Sequence, residues 1–295
     1  MLKQRLGALA LTLCGVMAHG PVGVSTAAAD TGPADAGAAD ASTVTFGARI
    51  DARPLSFRSE GLFQGYTIDI CEAVKAKLAE LDPTIQIADG YVGVTVADRL
   101  EKLDTGEVDI LCGAFTQNVA RMKTYDFSYL IFVSGTSVVS RRQQGAGVLQ
   151  RYDPAGKENL RVVVVADTTT DEYASRKLPV SWQITYAKTH GTAWQKLERG
   201  EVELYYGDRV ILRERINRAG RPGDYLLHRG FLTYEPYALP IRRDAPPALL
   251  DAANLAIVEL FRTGQVLQIY ERHFGGATER SNLLDSLFDL YAIPD

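Results

Sequence analysis

One short sequence unit occurs twice in the chain, and this repeat restricts the fold more than any other feature. Residues 103–110 and 197–204 align at a distance of 94 positions (197 − 103), with Leu, Gly, Glu and Val identical in register. In each copy a predicted helix ends at a glycine, Gly106 or Gly200, and a strand follows. Connections of a helix, a glycine and a strand are common, so the repeat could also be a coincidence. Identity at four positions nevertheless favours two similar α/β lobes.

Helices and strands alternate along the rest of the chain. Apolar residues every three or four positions predict helices over residues 66–81 and 95–103, with the pairs Asp69/Glu72 and Thr95/Asp98 as capping boxes. Short apolar runs predict strands at residues 44–49, 85–87, 108–112, 138–139, 162–165 and 238–239. This alternation predicts open, mostly parallel sheets that bind ligands at the carboxyl ends of their strands.

The first 29 residues have the pattern of a secretory signal peptide. Lys3 and Arg5 precede an uncharged run over residues 6–17, and three alanines lead to Asp30, where we expect the mature chain to begin. A lipoprotein acylated at Cys14 is an alternative, which the bulky Leu13 before it disfavours. Residues 30–43 are a low-complexity segment of mostly small residues, which predicts a disordered leader. We therefore expect an exported protein of the bacterial periplasm.

The charge balance and the cysteine content exclude several function classes. Without Lys3 and Arg5 the balance is 30 basic against 36 acidic residues, a net of −6, which disfavours nucleic acid as a partner. Three cysteines are too few for a disulfide scaffold, a zinc ribbon or an iron–sulfur cluster, and nothing predicts a cofactor or metal. A disulfide between Cys71 and Cys112 is possible, but their apolar contexts favour two buried free thiols.

Several motifs together resemble one known family. The most specific is Gly-x-x-Thr-x-x-x-x-Arg-x-x-x-x-x-Phe-Ser over residues 113–128, and further matches lie at residues 65–69, 106–109, 168–169, 235–237 and 269–274. Their order and spacing resemble the extracellular solute-binding proteins of polar amino acid ABC transporters. Residues 118–121 and 187–191 are similar to the glutamate/aspartate-binding group within that family.

The resemblance implies a two-lobed α/β fold of the type II periplasmic binding proteins, with a ligand cleft between lobes that two crossing segments join. The first lobe would comprise residues 44–137 plus 234–295, and the second lobe residues 138–233. The crossings would lie near residues 135–140 and 233–240. The apolar residues of 283–291 predict a short amphipathic helix that packs on the first lobe.

The function that the resemblance implies is capture of an amino acid, as a monomer, and its delivery to the membrane permease of an ABC transporter. An enzyme on the same fold is the alternative, such as a cyclohexadienyl-type dehydratase of small organic acids. In that alternative Glu235 or His190 would serve as the acid or base. Asp208 favours a ligand that carries an ammonium group.

The resemblance also assigns roles to individual residues. Arg121 matches the arginine that binds the ligand's α-carboxylate, and Asp208 matches the aspartate that binds its ammonium group. Thr116 matches a ligand-binding threonine, and Asn118 replaces a second one. The remaining assigned ligand contacts are the crossing residue Thr136, the helix-starting residues Thr168 and Thr169, and the acidic-ligand residues Arg49 and His190.

Some positions depart from the family pattern. Because of them, the sequence does not decide whether the ligand has an acidic or a neutral polar side chain. Asp167 replaces the usual glycine before Thr168, and Ser137 stands where acidic-ligand relatives carry a basic residue. Arg53 is a second candidate for a positive charge. Further candidates for apolar cleft walls are Phe57, Phe127 and Tyr206.

Overall fold

The computed structural model describes residues 43–142, 159–275 and 280–294. The predicted signal peptide and all but the last residue of the predicted leader lie outside the described residues. In the described ranges, every helix is too short or too polar to cross a membrane.

The described residues alternate between short strands and helices, as the sequence predicts. The strands are β1 (Thr43–Val44), β2 (Phe46–Arg49), β3 (Asp51–Ala52), β4 (Ser56–Ser59), β5 (Leu62–Gln64), β6 (Gln86–Ile87), β7 (Val92–Val94), β8 (Ile110–Cys112), β9 (Asp126–Ser134), β10 (Thr136–Arg141), β11 (Arg161–Val165), β12 (Gln183–Ala187), β13 (Leu204–Asp208), β14 (Tyr225–Leu227) and β15 (Glu235–Ile241). The helices are α1 (Tyr66–Leu81), α2 (Arg99–Asp104), α3 (Val119–Met122), α4 (Thr169–Lys177), α5 (His190–Glu198), α6 (Arg209–Asn217), α7 (Pro247–Arg262), α8 (Gln265–Phe274) and α9 (Asn282–Tyr291).

Two five-stranded sheets form the centres of two lobes, and they repeat one pattern. The first has the order β7-β2-β8-β15-β9, and the second has the order β12-β11-β13-β10-β14. In each sheet three parallel strands are followed by two strands that pair antiparallel. Four of the five strands in each sheet therefore run in the same direction, as predicted, although only two of the four pairings in each sheet are parallel. Strands that cross between the lobes run back against the parallel set.

Two segments connect the sheets, close to the predicted positions. Gly135 separates β9 of the first sheet from β10 of the second, and the chain returns before β15. The two crossings lie side by side, since Thr136 N donates to Thr233 Oγ1 at 2.9 Å. A Cβ at Gly135 would collide with the carbonyl oxygen of Thr233, so only glycine allows this close approach.

Strand β11 shows why a run of valines lies at the centre of the second lobe. Successive side chains point to opposite faces of the sheet. Val162 and Val164 pack with Tyr206 on one face, and Val163 packs with Trp194 on the other. Because both faces of this strand are covered, an uninterrupted apolar run is the expected sequence.

Helix α1 has the predicted bounds, but the predicted capping box is wrong. The helix follows Gly65, which has φ +133° and provides no side-chain cap. Asp69 instead accepts hydrogen bonds from Arg272 Nη1 at 2.6 Å and His273 Nε2 at 2.8 Å, and so ties α1 to α8. Thr95 and Asp98 do bond to each other, with Thr95 N to Asp98 Oδ1 at 2.6 Å, but α2 begins later than predicted, at Arg99.

Cys71 and Cys112 form a disulfide, so the prediction of free thiols was wrong. Cys71 lies on α1 and Cys112 ends β8, and both are fully buried. The helix packs directly on the strand, which brings the two Cα atoms to 6.4 Å. Apolar surroundings are equally compatible with a buried disulfide.

Helix α9 packs on the first lobe, as predicted, but with a different face. Leu284, Leu287 and Phe288 are buried, whereas Leu283 and Leu290 are exposed. The Phe288 ring meets the Phe261 ring of α7 edge-on at a centroid distance of 5.1 Å. This aromatic contact selects the buried face, and the leucine spacing alone did not indicate it.

Candidate functional site

A narrow cleft lies where the two lobes meet. The residues that line it come from both sheets and from the second crossing. They are Arg49, Arg99, Ala114, Thr116, Arg121, Val165, Thr168, Thr169, Thr170, His190, Tyr206, Gly207, Asp208, Ile211, Glu235 and Tyr237. Among the described residues, no group of three or more His, Cys, Asp or Glu side chains is placed to hold a metal ion.

Seven of the nine predicted site residues line this cleft, and two do not. Asn118 caps α3, where its Oδ1 accepts from Arg121 N at 2.9 Å. Thr136 is fully buried in the crossing, and its hydroxyl lies 3.0 Å from the hydroxyl of Thr170. Asn118 thus positions the backbone of Arg121, and the predicted ligand contacts of Asn118 and Thr136 stay predictions.

Arg121 is held in place by its own lobe. Its Nη1 donates to the carbonyl oxygen of Thr116 at 2.8 Å, and its guanidinium carbon lies 4.3 Å from the centre of the Phe115 ring. Burial lowers the pKa of this guanidinium from its usual value. It nevertheless stays charged at neutral pH, because an arginine begins with a pKa above 12. Arg121 therefore presents a fixed positive charge to the cleft.

Asp208 presents a buried negative charge from the second lobe. It ends β13, and its Oδ1 accepts from Ser134 Oγ and Val210 N, both at 2.9 Å. Its Oδ2 accepts from the hydroxyl of Tyr237. All three donors are neutral, and burial raises the pKa of Asp208 to about 6. A cation placed beside this carboxylate would restore its charged form.

The start of α4 places threonines at the cleft, and Asp167 has an unusual backbone there. Thr168 caps the helix by accepting from Asp171 N at 3.1 Å. Asp167 has φ +58°, a left-handed conformation that glycine adopts most easily and aspartate tolerates. A glycine at this position would adopt the conformation with less strain. The Asp167 side chain is exposed and does not line the cleft, so it adds no charge to the wall.

Arg49 lies at the end of β2 with Asp51 beside it. Its Nη2 donates to Asp51 Oδ1 at 2.6 Å, whereas its buried Nε has no acceptor among the described residues. A Cβ at Gly113 would collide with Cγ of Arg49, so this glycine leaves the space that the arginine fills. Arg49 is paired on one side of its guanidinium and still has a donor to offer.

His190 begins α5 and is neutral. Its Nδ1 lies 2.7 Å from the hydroxyl of Tyr205, and the side chain is buried. Burial lowers the pKa of the imidazole to about 3, so it can offer or accept a hydrogen bond but carries no charge at neutral pH.

Arg99 is a cleft residue that the sequence analysis missed. It begins α2, is 4% exposed, and donates from Nη2 to the carbonyl oxygen of Asp167 in the other lobe at 2.9 Å. Its Nε is buried without an acceptor among the described residues. Burial lowers its pKa well below the usual value, and the charges of Arg49 and Arg121 lower it further. Three guanidinium groups thus converge on one cleft.

Glu235 joins the two lobes at the base of the cleft. Its Oε2 accepts from Thr116 Oγ1 at 2.5 Å and from Thr169 Oγ1 at 2.8 Å. Its Oε1 accepts from Thr233 Oγ1 at 2.9 Å. Because both threonines donate to Glu235, their hydroxyl oxygens are left as acceptors for other groups. The sequence named Glu235 only as a motif residue and as a possible acid or base.

The remaining candidates divide between the cleft and other places. Tyr206 lines the cleft, but Phe57 and Phe127 do not. Arg53 stacks on Phe57, with 3.3 Å from the guanidinium carbon to the ring centre, and also lies outside the cleft lining. Ser137 is fully buried and does not reach the cleft. The additional positive charge in the cleft therefore comes from Arg99 and not from Arg53 or from position 137.

The chain belongs to the bacterial extracellular solute-binding proteins, family 3, whose family model matches residues 44–276. This confirms the resemblance that the motifs indicated. A relative from Pseudomonas aeruginosa, the L-glutamate/L-aspartate-binding protein, is 30% identical over 241 residues, which cover 79% of this chain and 76% of the relative. The glutamate/aspartate import solute-binding protein of Escherichia coli K12 is 26% identical over 250 residues, which cover 81% and 79%.

Solved structures share the fold. A mutant of ArgBP from T. maritima has a TM-score of 0.67 at 21% identity, and the match covers 79% of this chain and 95% of that chain. The ancestral amino acid-binding protein AncCDT-1, described as a precursor of cyclohexadienyl dehydratase, has a TM-score of 0.67 at 23% identity with the same coverage. These likenesses confirm the predicted two-lobed fold of type II periplasmic binding proteins.

Proposed function

We propose that this protein is the amino-acid-binding component of a bacterial ABC importer and that its cleft binds glutamate or aspartate. The observation that carries the proposal is Asp208, a buried carboxylate without an ion-pair partner among the described residues. Across the cleft, the other lobe contributes the charged guanidinium of Arg121. The ammonium group of an α-amino acid would pair with Asp208, and its carboxylate would pair with Arg121.

The charge of the cleft favours an acidic side chain on the ligand. Three arginines line it, and of these Arg49 is paired with Asp51, whereas Arg99 and Arg121 have no ion-pair partner among the described residues. Arg121 is thus available for one carboxylate of the ligand and Arg99 for a second. The buried Nε groups of Arg49 and Arg99 also need acceptors, since an unpaired buried donor costs about 1–3 kcal/mol. A second carboxylate on the ligand would supply them.

The named relatives bind the same kind of ligand. The Pseudomonas aeruginosa and Escherichia coli proteins are both named for glutamate and aspartate. These names support the choice of ligand, and the two arginines without an ion-pair partner among the described residues support it independently.

A binding role fits the cleft better than catalysis. His190 has a pKa of about 3, too low for a base that is tuned to neutral pH, and its Nδ1 is engaged by Tyr205. Glu235 accepts three threonine hydroxyls, so its carboxylate is engaged in joining the two lobes. We therefore propose a protein without enzymatic activity rather than a dehydratase.

The proposal includes the surroundings in which the protein works. A signal peptide over residues 1–29 would export it to the periplasm, where it would act as a monomer and deliver its ligand to a membrane permease. We propose lobe boundaries at residues 44–137 plus 234–295 and at 138–233. The first boundary falls two residues inside β10, since Thr136 and Ser137 already pair with β13 of the second sheet, and the start of β15 supports the second boundary.

Titration calorimetry against the twenty amino acids tests this function. We expect glutamate or aspartate to bind at least tenfold more tightly than glutamine or asparagine. Arg121→Ala and Asp208→Ala should each weaken binding by about 3–5 kcal/mol, since a ligand charge would be left buried and unpaired. Arg49→Met should remove most of the preference for the acidic ligand.

The control for these variants is Arg176→Ala, which removes an exposed arginine far along α4 from the cleft lining. It should bind like the wild type. Tight binding of glutamine or of a basic amino acid, together with no binding of glutamate, would contradict the proposed ligand.

A further inference from the structure

A second cavity lies at the junction of the lobes and shares no lining residue with the ligand cleft. Its volume is about 490 Å³. The end of β9 and the start of α9 line it from the first lobe. The start of α6 and residues 229–231 line it from the second lobe. We call it the rear cavity.

The rear cavity has a strong excess of positive charge. Arg209, Arg213, Arg229 and Arg280 line it, and its lining contains no Asp or Glu side chain among the described residues. Arg280 is paired, with Nε 2.5 Å from Asp285 Oδ1. Three guanidinium groups (4 − 1) therefore have no carboxylate partner within the described ranges.

Two of the uncompensated arginines, Arg209 and Arg213, are close enough for the charge of one to influence the other. Arg209 is half-buried and donates to the carbonyl oxygen of His228, which is a neutral partner. Burial and the charge of Arg213 both lower the pKa of Arg209. Arg213 and Arg229 are exposed and make no hydrogen bond or ion pair with the described residues. Like charges held together in this way raise the free energy of the unliganded protein until an anion lies between them.

The walls of the cavity fit a compact anion. Phe231 and Tyr270 line it beside the arginines and give it an apolar wall. Guanidinium forks bind oxyanions through paired, parallel hydrogen bonds. We propose that the rear cavity is a second binding site, specific for a small multivalent oxyanion such as a phosphate or polycarboxylate compound, and independent of the amino acid in the cleft.

Calorimetry with two probes at constant ionic strength tests this site. Inorganic pyrophosphate represents the phosphate class and citrate represents the polycarboxylate class. We expect one of them to bind the wild-type protein with one-to-one stoichiometry, and the tighter probe identifies the class. The double variant Arg213→Gln/Arg229→Gln should weaken that binding at least tenfold. Both side chains are exposed, so the variant should fold normally.

Two control proteins make the result specific. Arg176→Gln/Arg199→Gln removes the same charge from exposed positions outside the cavity and should change affinity less than twofold. Arg121→Ala, in the ligand cleft, should also leave binding of the probe unchanged. Three results would overturn the proposal: no binding of either probe at millimolar concentration, equal weakening in the surface control, or loss of binding in Arg121→Ala alone.

Discussion

At the residue scale, we expect Asp208 to make ligand affinity depend on pH. Its pKa is raised to about 6 because its carboxylate is buried among neutral donors. An ammonium group binds the charged carboxylate, so protonation competes with the ligand. We expect full affinity for glutamate above about pH 7 and a loss approaching tenfold for each pH unit below about 6.

Calorimetry between pH 5 and pH 8 measures this dependence. The Asp208→Asn variant should bind weakly, with a nearly flat profile. Wild-type affinity that is constant down to pH 5 would contradict the role of Asp208. The same raised pKa implies that the unliganded fold loses roughly 3 kcal/mol of stability as the pH rises from about 4 to about 6, since the native state holds this proton more tightly than the unfolded chain does.

A variant of Arg99 tests whether the ligand's side chain is recognised separately from its α-ammonium and α-carboxylate groups. Arg99→Met keeps the apolar stem and removes the guanidinium. We expect glutamate to bind 10- to 100-fold more weakly, since its second carboxylate loses a buried partner, and glutamine to change less than threefold. Competition binding with both ligands measures the difference. Equal losses for both would instead assign Arg99 to holding the lobes together through Asp167.

The resemblance to the family predicted most of the cleft residues, but it could not predict Arg99. Arg121 lies within the motif of residues 113–128, Asp208 matches a family aspartate, and the structure brings both to one cleft. Arg99 belongs to no such motif in the sequence. One signal was present, because an arginine in the first turn of a helix meets the positive end of the helix dipole and so needs another reason to be there.

At the element scale, the disulfide fixes α1 against β8, the strand that leads to Gly113 beside the cleft. Cys112 precedes Gly113, which packs on Arg49. The bond closes a loop with a sequence separation of 41. A constraint of this length removes about 4 kcal/mol of chain entropy from the unfolded state.

We expect Cys71→Ser/Cys112→Ser to be about 2–4 kcal/mol less stable than the wild type. Urea denaturation measures the change, and the wild type in a reductant should shift by a similar amount. Mass spectrometry that finds two free thiols in the purified wild type, with no effect of reductant on the midpoint, would contradict the pairing.

The helices were more predictable than the way the strands pair. The bounds of α1 follow from its apolar periodicity, which is local to the sequence. The antiparallel strands β10 and β15 result from crossings between lobes, and no local pattern encodes the direction of a crossing. The buried face of α9 depends on contact with Phe261, which lies 27 positions from Phe288 (288 − 261).

At the scale of the whole molecule, the cleft is assembled from both lobes, so binding and closure should be coupled. Arg121 lies on α3 of the first lobe and Asp208 ends β13 of the second, and Glu235 bonds to threonines of both lobes. A ligand that contacts both sides favours the closed arrangement. Separation of the lobes would break these contacts, and only the two crossings would then need to bend.

Small-angle scattering tests this coupling. We expect a monomer whose radius of gyration decreases when glutamate is added at saturating concentration. The Arg121→Ala variant serves as the control and should not compact at the same concentration. An unchanged radius in the wild type would contradict closure on binding.

The central claim is that one cleft holds three charged groups of the ligand with separate partners. Calorimetry with L-glutamate and three analogues tests it directly, because each analogue lacks one charge: glutarate the ammonium, 4-aminobutyrate the α-carboxylate, and glutamine the charge of the side chain. We expect glutamate to bind most tightly, and Asp208→Asn, Arg121→Ala and Arg49→Met to abolish its advantage over glutarate, 4-aminobutyrate and glutamine respectively. An advantage over glutarate that survives in Asp208→Asn, or equal binding of all four compounds by the wild type, would contradict the account.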